Sequence, residues 1–295
     1  MVRRAVRVLL FAALCVLPVV MYAQGDYLDI YIVRVKPDKI ADFDAFAKKI
    51  VDANQHNNGD HWLAQYVLYG ENNTYVFASM RQDYADIDKG SEAFMSALTK
   101  AYGKDAAEKL ERDWNSCLIS ARSELRKRRP DLSRKVPADM ASYAKLIGTS
   151  KVLRTTAIHI RPGHGPEFEA MVKDVQAIAG KAENTQPLLF SQGVEGTEGT
   201  TYYVTALRSG LDGFDHNPTI HEVLGDEGYK KYLQGISDTV ESTESMILHF
   251  SPELSNPPEA ILAAAPDVWQ PKPVVAGKAK PKSSGEKAAA AKSKQ

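Results

Sequence analysis

A strand ended by proline and followed by an amphipathic helix occurs twice in this chain, and that repeat constrains the fold more than any other feature. The first copy is Val33-Arg34-Val35-Lys36-Pro37 through Phe43 and Phe46, and the second is Ile158-His159-Ile160-Arg161-Pro162 through Phe168 and Met171. A separation of about 125 residues marks a duplicated domain and not a short repeat array. The match continues downstream: Tyr75 and Phe77 align with Tyr202 and Val204, and Pro130-Asp131-Leu132-Ser133 aligns with Pro252-Glu253-Leu254-Ser255. The 295 residues thus divide into two halves of ordinary domain size, each long enough to bury a core.

Residues 27–35 are rich in β-branched and aromatic types and read as a strand. Asp38 is placed to cap a helix whose apolar positions are Ile40, Phe43, Phe46, Ile50 and Val51. Residues 62–69 and 74–80 read as a hairpin around Gly70-Glu71-Asn72-Asn73. Ser91 is placed to start a helix, a second helix follows Gly103, and residues 117–126 read as the fourth strand. The second half repeats this order: strand 153–160, helix 166–179, hairpin 188–193 with 200–207, helices 220–224 and 227–239 entered through Asn217-Pro218, and strand 245–250. The expected organisation is a first unit at 27–131, a helical linker at 132–150, a second unit at 151–255, and a disordered tail rich in proline, alanine and lysine at 256–295.

Arg3, Arg4 and Arg7 precede an apolar run over residues 8–20 and then Met21-Tyr22-Ala23, the order of a secretory signal peptide spanning 1–23. The run is short for a spanning helix and contains Pro18, which weighs against an uncleaved anchor. The mature protein is therefore expected outside the cytoplasm, periplasmic or secreted. Cys15 leaves with the signal, and the remaining Cys117 reads as a buried small hydrophobe. The formal net charge of zero hides a segregation: residues 272–295 carry seven lysines against the single acid Glu286. Without that tail and the signal arginines, the body has nine more acids than bases. An acidic body argues against nucleic acid as a partner, because phosphate binding needs a positive surface, while the basic tail suits contact with an anionic envelope.

Strand, helix, hairpin, helix, strand in each half is the order of a ferredoxin-like α+β unit, with helices on one face of an antiparallel sheet. The other face needs a cover. The strand ending Val35-Lys36-Pro37 or Ile160-Arg161-Pro162, before a phenylalanine-containing helix, resembles the dimeric α/β-barrel superfamily in its NIPSNAP and antibiotic-biosynthesis-monooxygenase branches, over about 27–131 and 153–253. The resemblance implies two units packed sheet on sheet around a cavity, here completed within one chain, as a monomer or a homodimer. It implies a fold and no single activity, since the superfamily includes oxygenases, haem-binding enzymes and isomerases.

Strand alternation puts Arg34 and His159 on the face opposite Val33, Val35, Ile158 and Ile160. If the aliphatic face meets the helices, both point into the shared interior, toward an anionic ligand or, for His159, a haem. A solvated place at the barrel rim is the weightier alternative for such polar groups. His249 on the last strand is the other candidate base or haem ligand, or a satisfied core histidine. Tyr66 and Tyr202, on the hairpin strands, are candidate lining aromatics. His216 and His221 stand five apart across Pro218, which is not the spacing of a zinc pair, so no metal site is expected. No glycine-rich nucleotide loop, nucleophile elbow or paired-cysteine motif occurs, no catalytic residue is assigned, and no cofactor is expected apart from the haem that the resemblance admits. The expected function is the binding of a small hydrophobic or anionic molecule between the two units of an extracytoplasmic protein. The alternatives are a cofactor-independent or haem-dependent monooxygenase-like enzyme, and an envelope-associated structural protein anchored by its basic tail.

Overall fold

The proline stops and the apolar alternation shape both halves alike. In the computed structural model, which describes residues 26–270, the first half runs β1 (Tyr27–Val35), α1 (Ile40–His56), β2 (Leu63–Tyr69), β3 (Thr74–Arg81), α2 (Tyr84–Tyr102), α3 (Lys104–Ser116) and β4 (Leu118–Arg128). After α4 (Met140–Gly148), the second half runs β5 (Val152–Ile160), α5 (Gly165–Ala179), β6 (Leu189–Glu195), β7 (Thr200–Arg208), α6 (Ile220–Thr239) and β8 (Val240–Phe250). Two short helices follow, α7 (Glu259–Ala264) and α8 (Pro266–Trp269). The expected signal peptide at 1–23 and the tail beyond residue 270 lie outside the described residues.

At three helix starts the capping differs from expectation, and only at α2 does the start itself move. Asp38 sits in a 3-10 turn, Pro37–Lys39, and α1 begins after it with no side-chain cap. The second helix begins at Tyr84 and not near Ser91, because the Asp83 carboxylate accepts from the Asp86 N–H at 2.9 Å. In the second half Thr219, one residue past Asn217-Pro218, forms a capping box with Glu222. Gly225, at φ 67°, then interrupts α6 between the two pieces expected there.

Each half makes a four-stranded antiparallel sheet in the ferredoxin-like order, β2-β3-β1-β4 and β6-β7-β5-β8. Neither sheet has a free edge. β4 pairs with β6 and β2 pairs with β8, so the two sheets close into one eight-stranded barrel within a single chain. The outer face carries the helices. Val33 and Val35 pack with Phe43 and Cys117 on one side, and Ile160 packs with Phe168 and Val172 on the other.

The repeated Pro-x-Leu-Ser motif fastens both seams. Ser133 Oγ, just past β4, accepts from the Phe190 N–H of β6 at 2.8 Å and donates to the Arg129 carbonyl at 2.8 Å. Ser255 Oγ, just past β8, accepts from the Ala64 N–H of β2 at 2.8 Å and donates to the Ser251 carbonyl at 2.7 Å. The next residue of each motif, Arg134 or Asn256, adds an isolated bridge to Leu188 or Trp62. A hydroxyl thus satisfies a strand amide at each place where one unit hands over to the other.

The stretches expected to be a linker and a tail are structural. Only Met140–Gly148 of the linker is helical, capped by Asp139, and its Tyr143 and Ile147 pack inside the barrel with Leu63, Leu153, Leu207 and Phe250. The expected disorder from residue 256 is corrected over 256–270: Ile261 is 5% exposed and Trp269 3% exposed, both in the same cluster. Trp269 meets Phe250 edge to face at 5.6 Å and donates its indole N–H to the Gly148 carbonyl. Together α4, α7 and α8 plug the barrel end at which β1 and β5 begin.

Replacing either seam serine orphans a strand amide. Ser133→Ala and Ser255→Ala are expected to cost about 1–3 kcal/mol each in urea unfolding, whereas Ser242→Ala, exposed on β8, changes stability by less than about 0.5 kcal/mol.

Candidate functional site

Closure of eight strands leaves a lumen just wide enough to be filled by side chains or to hold one small ligand. Here it keeps a cavity of about 510 Å³. Strand alternation assigns its lining: Leu28, Ile30 and Ile32 from β1, and Leu153, Thr155, Ala157 and His159 from β5. Toward the plug the walls are mostly apolar, with Leu153, Leu207, Leu248, Ile147 and Ile261, broken by Arg126 and Arg128 of β4. Toward the opposite end, where β1 and β5 finish, they become polar, with Arg122, Glu244, His159 and Thr201. That end meets water, since the Arg122 side chain is 63% exposed.

The most unusual wall is β4. Its inward positions are Arg122, Glu124, Arg126 and Arg128, a ladder of charge down one strand of a lumen that is otherwise largely apolar. Glu124 and Arg126 are buried and paired at 2.6 and 2.9 Å, and Arg122 Nε reaches the second Glu124 oxygen at 3.2 Å. The Arg126 guanidinium lies 3.4 Å from the centre of the Tyr203 ring, and Arg128 lies 4.6 Å from that of Tyr143. Burial pushes the Tyr203 hydroxyl up to about 12, with Arg126 opposing and Glu124 reinforcing, so it stays a donor at neutral pH. This ladder was not among the expected site residues. Its signal was present as alternation, Arg-x-Glu-x-Arg-x-Arg, but the expected fourth strand stopped at residue 126 and the ladder runs on to Arg128.

His159 enters the cavity from β5. Its Nδ1 lies 3.1 Å from Thr201 Oγ1, whose own proton is donated to the Glu198 carbonyl at 2.9 Å. With that proton committed, Thr201 accepts from Nδ1–H, and the neutral ring keeps Nε2 as its lone-pair nitrogen. His61 also borders the cavity, and its Nδ1 lies 3.3 Å from the Asn256 carbonyl.

The other expected residues lie elsewhere. Arg34 shares the inward face of β1 but ends at the rim, 43% exposed and paired with Glu71 at 2.6 Å. His249 and Tyr66 face out of the barrel: they are directly opposed on β8 and β2, their rings stack at 5.2 Å, and His249 Nδ1 lies 2.6 Å from the Phe250 carbonyl. Leu248 and Phe250 take the inward positions in place of His249. Tyr202 also faces outward, under α5 against Phe168, and it is Tyr203 that enters the lumen. His221 bonds Asp226 at 2.7 Å on the surface of α6.

Tyr202 belongs to an outer network. Its hydroxyl donates to Glu169 at 2.6 Å, and Arg129 donates to both Glu169 and Asp131. The Arg129 hydrogen bonds hold the Glu169 and Asp131 carboxyls below their usual values, while burial and then Glu169 push the Tyr202 hydroxyl up.

No protein-family model matches the chain, and no curated protein matches it. Solved structures do. An anthrone oxidase-like protein superposes with a TM-score of 0.50 at 13% identity, covering 78% of this chain and 92% of its own, and shares the fold. A chlorite dismutase from Candidatus Nitrospira defluvii in complex with imidazole gives 0.44 at 10% identity over 78% and 93% of the two chains. A haem-binding protein from Thermus thermophilus gives 0.43 at 9% over 79% and 93%. The chain is a dimeric α/β barrel completed by two ferredoxin-like units of one polypeptide.

A carboxylate whose pKa is lowered on folding stabilises above its unfolded value, and that stability is lost as pH falls through the folded value. Glu169→Gln is therefore expected to cost about 1–3 kcal/mol at neutral pH. The difference from wild type should narrow as pH drops below the ordinary glutamate value of about 4.3, read by urea unfolding at several pH values.

Proposed function

We propose that this protein binds a small amphipathic organic anion in the barrel lumen, and that it does so outside the cytoplasm, as its amino-terminal segment suggests. The observation that carries this reading is a single cavity in which apolar Leu153, Leu207 and Leu248 near the plug stand opposite Arg122 and His159 at the open end. An apolar tail on Leu153, Leu207 and Leu248 would leave water, at about 25 cal/mol per Å² buried. A carboxylate at the other end would meet Arg122, which has guanidinium donors beyond the Nε that faces Glu124, beside the ring of His159.

The enzyme reading has one observation in its favour, the lone pair that His159 presents to the cavity. Such a nitrogen can take a proton from a bound substrate or serve as an axial ligand. In a haem complex His159 would hold the iron and Arg122 would pair with a carboxylate of the group. Haem would supply iron for oxygen or peroxide chemistry, while the chain's own contribution would be the Thr201 contact that orients the imidazole. His249 faces the wrong side of the barrel for this role. A Soret band on adding haem, lost in His159→Ala and retained in His249→Ala, is the outcome this reading requires.

For the binding reading, calorimetric titration with decanoate is expected to show saturable one-to-one binding, with methyl decanoate weaker by about tenfold or more. Ala157→Phe, which fills the lumen from β5, should abolish binding without lowering the melting temperature, and Arg122→Gln should weaken it. Equal affinity for acid and ester, or binding indifferent to Ala157→Phe, would refute the reading.

A further inference from the structure

A second cavity, of about 600 Å³, lies on the other side of the sheet, between the outer face of the first unit and α1, α2 and α3. A sheet face covered by helices is ordinarily apolar, and toward the β1 carboxyl end this one is, with Val33, Val35 and Phe43. Beneath the start of α2 the floor turns polar. Asp29 and Ser79 are paired neighbours on β1 and β3, Arg81 follows on β3, and all three border the cavity. Ser79 and Arg81 are buried.

The polar floor is built and not incidental. Arg81 donates two bonds of 2.7 Å to Asp60 and two of 3.2 Å to Asp29. It lies flat under α2 because Gly90 has no side chain: a Cβ there would stand 2.3 Å from Nη1. Above this floor the walls are aromatic. Phe77 and Trp114 are 5.7 Å apart, Tyr31 and Phe77 6.4 Å, and Trp62 and Phe94 5.9 Å. Glu111 of α3 borders the cavity too, and is exposed at its edge beside Ser123 of β4. Burial raises the Tyr31 hydroxyl, the Trp114 contact opposes that rise, and the charge of Glu111 adds a smaller upward push.

Charge and wall chemistry agree on a ligand class. Three carboxylates, Asp29, Asp60 and Glu111, border the cavity with one guanidinium, Arg81, whose single charge Asp60 and Asp29 share, so negative charge is in excess. An excess of negative charge next to the π faces of tryptophan, phenylalanine and tyrosine favours an organic cation over an anion or a neutral hydrophobe. The second unit lacks these groups at the matching positions. At the positions corresponding to Asp29, Tyr31 and Ser79 it has Arg154, Thr156 and Ala206, and Arg154 lies over Phe214 at 5.2 Å.

We propose that this helix-side cavity of the first unit is a separate binding site for a small organic ammonium ion, with Trp114, Phe77 and Tyr31 as its aromatic wall and Glu111 and Asp29 as its counter-charges. The sheet stands between it and the lumen, with Trp62 and Ser79 bordering both.

The test titrates the full chain with choline and with its uncharged isostere 3,3-dimethylbutan-1-ol, following tryptophan fluorescence and the Trp114 indole resonance. Saturable choline binding is expected, with the isostere weaker by about tenfold or more. Glu111→Gln, at an exposed position that the fold does not need, should weaken choline several-fold, and Trp114→Phe should weaken it while retaining part of the affinity. Ala157→Phe should leave choline binding unchanged. The proposal is overturned by absence of saturable choline binding, by an isostere that binds equally well, by indifference to Glu111→Gln, or by loss of choline binding in Ala157→Phe, which would move the ion into the lumen.

Discussion

Everything in this molecule depends on the two seams where the sheets meet. A four-stranded sheet with helices on one face has an uncovered face and two open edges, and neither half of this chain could leave them in water. Pairing β4 with β6 and β2 with β8 removes the edges and buries both inner faces at once. Because the two units are covalently joined, closure needs no second molecule. The seams repeat one chemical device, a serine hydroxyl from Pro-x-Leu-Ser that receives an amide of the neighbouring unit's strand. That device explains why this short motif survives in both copies while most of the sequence around it has drifted.

Closure also decides what faces what. Once register is set, every side chain in the barrel wall is committed to the lumen or to the helices, and a one-residue slip would exchange the two sets. His159, Tyr203 and the β4 ladder are inward by that rule, and His249, Tyr66 and Tyr202 outward by the same rule. The buried Glu124 and Arg126 are tolerated because they satisfy each other and because Tyr203 lies against the guanidinium. The plug of α4, α7 and α8 then closes one end, which makes the remaining space a pocket instead of a channel.

Much of the fold was legible because the signals were periodic and occurred twice. The strand–proline–helix repeats placed β1, α1, β5 and α5, and the alternation of Val33, Val35, Ile158 and Ile160 identified the helix-facing side correctly. The site was less legible. In β7 the adjacent Tyr202 and Tyr203 are both buried, so alternation alone does not say which looks inward, and only the pairing of His159 with Thr201 settles it. In β2 the sequence Leu-Ala-Gln-Tyr-Val mixes polar and apolar residues on both faces, which hid the outward direction of Tyr66. The plug was missed because alanine and proline after residue 256 resemble a linker in composition. Ile261 and Trp269 were the apolar residues that told against it.

The central claim is that closure aims one histidine, with its second nitrogen open, into a lumen built for a small molecule. The measurement that tests it most directly is nitrogen NMR of the ring of His159, assigned through His159→Gln, without and with decanoate. The structure requires a proton on Nδ1, facing Thr201, and a change at Nε2 when the carboxylate enters. A bare Nδ1 in the free protein, or ring signals that ignore a ligand shown by calorimetry to be bound, would contradict it.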